Sequence, residues 1–223
     1  MINSRLVNIC LISLGTLSLV FILFPRIDLE ISKLFFSESQ GFILKDQALV
    51  VLLFRSIPVL TELFALFCLI HLIYTFIKSR DIKKLILSWS FFLLISAVLA
   101  PGLTVNTVLK ENFGRARPRE IVEFGGKSEF TRAAVISDQC TKNCSFPSGH
   151  AAMGFYFSAI AYVLRASRFS YLYISAIIFG TIVGLSRIVM GAHFASDVVI
   201  SGFVVLAINH CLYLLWHKIK YPK

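Results

Sequence analysis

The sequence predicts an all-α, polytopic membrane protein with six transmembrane helices and interfacial helices between the first two spans. Three observations predict it. Hydrophobic residues make up 57% of the 223 residues, and mean hydropathy is +0.79. Charged residues are only 15%, where a soluble domain carries roughly a quarter. Those few charges fall between six windows that are almost free of them, at about 6–24, 57–77, 85–107, 148–164, 170–187 and 197–216. The whole chain, 1–223, reads as a single integral-membrane domain.

The first window follows a short basic lead, Met1 to Arg5. It is as long as a bilayer-spanning helix requires and ends Phe-Ile-Leu-Phe-Pro without a small-residue cleavage site. It is therefore expected to stay as an anchor. Residues 25–56 carry charges at intervals (Arg26, Asp28, Glu30, Lys33, Asp46) between apolar clusters at Leu34–Phe36 and Ala48–Phe54. Neither cluster is long enough to span, so interfacial helices lying on the membrane are expected. The second window tolerates Glu62, an intramembrane acid of the kind that is usually paired or functional; a wet interfacial position is the competing reading. The third contains Pro101-Gly102, which predicts a kink or loosening near its end. The twenty-one Phe residues suit lipid-facing helices.

The distribution of basic residues predicts orientation. With a cytoplasmic N-terminus, segments 1–5, 78–84, 165–169 and 217–223 hold ten Lys/Arg, Arg165 and Lys223 among them, against one acid, Asp81. The other side holds twelve Lys/Arg in much longer loops that also carry most of the acids. Cytoplasmic N- and C-termini are expected. Most of the +10 net charge lies in short loops between spans, a poor pattern for nucleic-acid binding.

This topology brings three polar clusters to one membrane face. The first is Lys110-Glu-Asn-Phe-Gly-Arg-Ala-Arg117-Pro118. Basic residues concentrated on the outer face (Lys110, Arg115, Arg117, Arg119) call for a local anionic partner, and Lys with Arg can hold a phosphate from two sides. Asn106, one turn before Lys110, could steady it or simply bond at the helix end. The second cluster is Ser145-Phe-Pro147-Ser148-Gly149-His150. It reads as a helix start, with Ser145 or Phe146 as cap and Pro147 in the first turn. Such a start suits a phosphate, and His150 can move a proton near neutral pH; taken alone, the stretch is equally a plain cap. The third cluster is Ser186-Arg187-x5-His193-x3-Asp197. His193 and Asp197 are four apart and share a helical face. A carboxylate there can hold one ring nitrogen as N–H and free the other, or the pair can be merely structural.

Lys110-x6-Arg117-Pro118, Pro147-Ser148-Gly149-His150 and Ser186-Arg187-x5-His193-x3-Asp197 together match the tripartite signature of the type 2 phosphatidic acid phosphatase family, which shares its helical bundle with vanadium haloperoxidases. The chain resembles that family from about 106 to 201, the catalytic half. The flanks Pro101–Asn106, Gly114–Arg119, Glu123–Gly126 and the Cys140–Cys144 loop resemble the lipid A 4′-phosphatase branch of Gram-negative bacteria. The resemblance implies a metal-independent phosphomonoesterase in the bacterial inner membrane, with its site facing the periplasm. It implies His193 as nucleophile oriented by Asp197, and His150 as acid and then base. Lys110, Arg117, Ser148, Gly149 and Arg187 would hold the phosphate. No metal or other cofactor is expected, and no acidic cluster of the kind Mg²⁺ uses is visible. The expected partner is a membrane lipid with a phosphate head group, lipid A first. Undecaprenyl pyrophosphate and phosphatidylglycerol phosphate are alternatives, and a six-span transporter or lipid-binding scaffold is the alternative of another class.

Two readings outside the signature complete the set. Cys140 and Cys144 sit in a loop on the oxidising side and form either a small disulfide ring or two free thiols. Residues 119–146 are long for a connection in a compact bundle; they read as a cap over the site, or as a solvated loop.

Overall fold

The first apolar run folds as α1 (Ser4–Leu23), entered through an Asn3 side chain that accepts from the Leu6 N–H. The computed structural model describes residues 3–164 and 166–222, so Arg165 and Lys223, counted above for orientation, lie outside the described residues. Pro25 then turns the chain into the amphipathic helix α2 (Arg26–Lys33). A two-stranded antiparallel hairpin follows, β1 (Phe36–Ser37) paired with β2 (Gly41–Phe42) and Phe36 opposite Phe42. The segment between the first two spans thus holds one interfacial helix and a hairpin.

The cluster Ala48–Phe54 is not a separate interfacial helix, contrary to expectation. It is the start of α3 (Ala48–Ser79), which runs 32 residues without a break. At 1.5 Å per residue such a helix is about 48 Å long, well beyond a hydrocarbon core of about 30 Å. The excess carries Phe54 out over the polar end of the bundle. Glu62 therefore lies inside a continuous helix, exposed on its surface.

After α4 (Ile82–Ile86), the third span begins as α5 (Trp89–Ala97), becomes a π-helix over Val98–Leu109, and closes with α6 (Lys110–Phe113). The expected loosening is real and wider than a kink. Pro101 has no N–H to give, and the side chains of Thr104 (Oγ1) and Asn106 (Nδ2) donate five residues back, to the Leu99 and Pro101 carbonyls at 2.7 and 2.8 Å. The fourth apolar window is two short helices in succession, α7 (Gly149–Tyr156) and α8 (Ala159–Val163). The last two windows are α9 (Phe169–Val189) and α10 (Ala195–Lys220). Among the described residues five helices are thus long and apolar enough to cross a membrane, and the broken α7–α8 rod packs at the centre among them.

The α7–α9 crossing is close because both helices present glycine there. A Cβ on Gly154 would stand 2.8 Å from Gly180 Cα, the small-residue packing used where lipid supplies no hydrophobic drive between helices. Outward, α1 and α3 show rows of exposed Leu, Ile and Phe, as lipid-facing surfaces do. Residues 119–146 fold against the bundle: Ile121 and Phe124 bury with Phe42 and Phe194 in a cluster that joins hairpin, loop and α10.

Candidate active site

The π-helical stretch leads directly into Lys110. Within it the Asn106 side chain sits over Gly149 at the α7 start, where a Cβ would collide with it. Asn106 is fixed to Pro101, not to Lys110. Arg117 follows an αL turn at Gly114. Its backbone N–H donates to Glu120 Oε2 at 3.0 Å. Its guanidinium donates twice to the Asn143 carbonyl, at 3.1 Å from Nε and 2.6 Å from Nη2. Asn143 lies in a small ring closed by the Cys140–Cys144 disulfide, with Cα atoms 5.6 Å apart. The ring therefore positions an arginine.

The α7 start differs in detail from the sequence reading. Ser148, not Ser145 or Phe146, is the N-cap; its Oγ accepts from the Ala151 N–H at 3.4 Å, and Pro147 stands outside the helix. Capping turns that hydroxyl toward the backbone, and Ser148 does not line the site cavity. Gly149 and His150 do. The His150 ring stacks on Phe54 with centroids 4.9 Å apart, and its buried Nε2 has no hydrogen-bond partner among the described residues. Arg187, at the end of α9, also lies over Phe54, 4.3 Å from the ring centroid.

His193 sits in the turn between α9 and α10. Its Nδ1–H donates to the Ser145 carbonyl at 2.6 Å; only this tautomer makes the bond, and it leaves Nε2 unprotonated. Asp197 Oδ2 is 3.7 Å from Nδ1. The direct carboxylate–imidazole hydrogen bond expected from the spacing is thus replaced by a backbone carbonyl, with Asp197 behind it. Asp197 instead accepts from Ser145 Oγ at 2.5 Å, from the Phe194 N–H at 2.8 Å and from Arg115 Nη1 at 2.6 Å. One residue, Ser145, bonds the acid with its hydroxyl and the histidine with its carbonyl.

Arg115 was expected to seek an anion, and its anions are the protein's own. Its Nη2 lies 2.9 Å from Asp28 Oδ2 on α2, while Nε donates to the Thr131 carbonyl at 2.8 Å. Asp28 in turn accepts from the Ser196 N–H at 2.9 Å and from Ser196 Oγ at 2.5 Å, capping α10 from another helix. Arg115, Asp28, Asp197 and His193 are all no more than 1% exposed. Each carboxylate meets several donors, the condition under which buried charges are tolerated.

The resulting cavity is about 400 Å³, lined by Lys110, Arg117 and Arg187 together with Asn106, Asn143, Gly149, His150 and His193, and bounded by Phe54 and Met153. Of the residues picked from sequence, Ser148 and Asp197 stand behind its wall. Burial pushes the His193 imidazole down to about 3, with Lys110 and Arg187 adding to the effect against Asp197; the ring is neutral at physiological pH. Three cations facing a neutral imidazole make a receptor for a phosphate dianion. Among the described residues no group of three His, Cys, Asp or Glu side chains gathers where a metal could sit.

Asp28, Phe54, Asn143 and Ser145 were missed as site components. Asp28 had a signal. On α2 it shares the buried face with Ser32, four residues on, beside Ile27 and Ile31, and an acid on an apolar helix face wants a partner. Asn143 acts through its main-chain carbonyl, and Ser145 and Phe54 through contacts with residues far along the chain, which sequence spacing does not reveal.

The model of the PAP2 superfamily matches residues 89–221. A lipid A 4′-phosphatase of Francisella tularensis subsp. novicida is 32% identical over 90% of each chain. A lipid A 1-phosphatase of Rhizobium etli is 34% identical over 56% of this chain and 51% of its own. A crystal structure of a transmembrane PAP2-type phosphatidylglycerolphosphate phosphatase from Bacillus subtilis superposes with a TM-score of 0.59 at 21% identity, covering 96% of this chain and 98% of that one. The fold, the family match and the full-length relative converge: this chain belongs to the PAP2 superfamily, as a multi-pass membrane phosphatase.

Proposed function

We propose that the protein removes the 4′-phosphate of lipid A at the periplasmic face of the bacterial inner membrane, through a phosphohistidine intermediate. The observation that carries the chemistry is His193, its Nδ1–H held on the Ser145 carbonyl and its ring set in a wall of the tricationic cavity. Nε2 attacks phosphorus as the bond to the sugar oxygen breaks, and His150 gives that oxygen its proton. His150 then takes a proton from water, whose oxygen attacks phosphorus and releases the histidine. Lys110, Arg117 and Arg187 offset the charge on the equatorial oxygens, with the Gly149 N–H at the α7 start. Asp197, through Ser145, keeps the nucleophile's ring in place.

The substrate reading is supported by the reach of the relatives. Relatives aligning over 90% and 92% of this chain, at 32% and 30% identity, are lipid A 4′-phosphatases, whereas a 1-phosphatase and a further 4′-phosphatase each align over 56% of it. The two names describe one head group with a phosphate at each end. The periplasmic assignment is supported by the basic residues gathered at the opposite ends of the spans.

The test is phosphate release by the purified protein from lipid A, undecaprenyl pyrophosphate and phosphatidylglycerol phosphate side by side, with the lipid A product mapped by mass spectrometry. Loss of the 4′-phosphate is expected. Release from either other lipid alone would overturn the substrate reading, and release from none would overturn the catalytic one.

A further inference from the structure

Beside the phosphate site lies a second cavity, and we propose that it binds a second anionic group of the same head group, a phosphate on the neighbouring sugar, while the first phosphate reacts at His193. This rests on the reading of the substrate as a bisphosphorylated sugar lipid. The cavity is about 320 Å³, walled by Phe36, Phe42 and Phe124, with Gly41, Lys45, Asp46, Arg119 and Met190 completing the lining.

The wall is prebuilt. The three rings pack on one another with centroids 5.1 to 5.5 Å apart, and Phe42 and Phe124 are buried. Phe42 also lies against Gly191, whose φ of +62° and missing Cβ admit the ring. The Arg119 N–H donates to the Gly191 carbonyl at 3.0 Å. Hairpin, Arg119 turn and the α9–α10 turn that holds His193 therefore form one frame. The partition between the cavities is thin. Arg187 lines the first and Met190 the second, with Arg187 Nη1 only 3.0 Å from Met190 Sδ. Likewise Arg117 lines the first and Arg119, two residues on, the second.

Charge separates this cavity from an ordinary surface dip. Asp46 is the acid in its lining, yet neither Lys45 nor Arg119 makes a salt bridge among the described residues. Buried Arg115, by contrast, has two carboxylates. An aromatic wall with two uncommitted cations fits the apolar face of a sugar ring bearing a phosphate. Binding energy gained there, away from the reacting atoms, can hold the first phosphate in line with His193.

The experiment compares lipid A carrying both phosphates, lipid A carrying the 4′-phosphate only, and phosphatidic acid, in mixed micelles. It uses wild type, Lys45→Ala, Arg119→Ala and the double variant. The wild type is expected to prefer the bisphosphate by about tenfold in kcat/KM, the worth of a charge-assisted contact. The double variant should bring that ratio near one by raising KM for the bisphosphate. Equal kcat/KM for both lipid A forms in the wild type, or a preference that survives in the double variant, would overturn the cavity proposal alone. A uniform fall on all three lipids would also overturn it, since that is the mark of general electrostatics or lost structure. Hydrolysis of phosphatidic acid but of neither lipid A form would instead overturn the substrate reading, and the proposed occupant with it.

Discussion

Asp28 Oδ2 lies 2.9 Å from Arg115 Nη2, joining residues 87 positions apart in the chain, and the same guanidinium reaches Asp197 Oδ1 at 2.6 Å. A carboxylate on the interfacial helix thus shares its cation with Asp197, the acid behind the proposed nucleophile His193. Asp28→Asn keeps the shape and removes the charge, so Arg115 is drawn toward Asp197 alone. We expect kcat to fall by about ten- to a hundredfold, the loss that follows a misplaced catalytic group, with KM little changed. Thermal unfolding in detergent should also shift downward, since removing one partner of a buried pair costs about 3–5 kcal/mol. Wild-type kcat in the folded variant would show that Asp28 serves stability only.

His193→Ala and His150→Ala should fail at different steps. The first should abolish turnover and the covalent phosphoenzyme together. The second should slow turnover by about 10²–10⁴, the usual worth of general acid–base catalysis, while an acid-labile phosphoenzyme still forms from a substrate with a good leaving group. Rapid quench with labelled substrate distinguishes them; label on any residue other than His193 would refute the assignment.

The pH response follows from the burial of the His193 ring. Its imidazole, ordinarily near 6.5, is held down to about 3 by burial. The folded protein therefore resists protonating it, and the unfolded chain does not. This stabilisation is fully present above pH 6.5 and is lost as pH falls toward 3. His193→Gln should lose less stability than wild type across that window, as measured by melting temperature. The acid limb of kcat/KM should not lie at an ordinary histidine pKa on account of His193; a limb that moves with His193 chemistry near pH 6.5 would contradict its burial.

Arg117 rests on the Asn143 carbonyl inside the Cys140–Cys144 ring. Opening the ring with reductant, or by Cys140→Ser with Cys144→Ser, should free that carbonyl and raise KM by about tenfold, the loss of one hydrogen bond to a charged group. An unchanged KM on complete reduction would show that Arg117 holds its position without the ring.

Chelation offers a simple check on the chemistry. Three cations offset the phosphate charge in the proposed mechanism, so activity should survive excess EDTA. Complete loss that magnesium restores would reverse this view.

The sequence by itself determined the membrane class, the apolar stretches that become helices, the single face on which three motifs meet, and the identity of the cationic and histidine groups lining the cavity. Each of these depends on a local quantity: the length of an apolar window, the side of the bilayer on which a loop falls, or a spacing within one motif. Tertiary structure decided the rest. The helix through Ala48–Phe54 continues outward because nothing in the chain stops it, so Phe54 covers His150 and Arg187. Ser148 turns to cap, and the Ser145 carbonyl takes the place on His193 that the four-residue spacing had suggested for Asp197. Arg115 proved to serve the protein's own carboxylates, one of them on a helix of another region of the chain. The Ser145–His193 and Asp28–Arg115 contacts join residues 48 and 87 positions apart, and their geometry is set by how helices cross and loops fold back. Periodicity reports which way a side chain faces on its own element; which main-chain oxygen waits there is fixed only when the elements are packed.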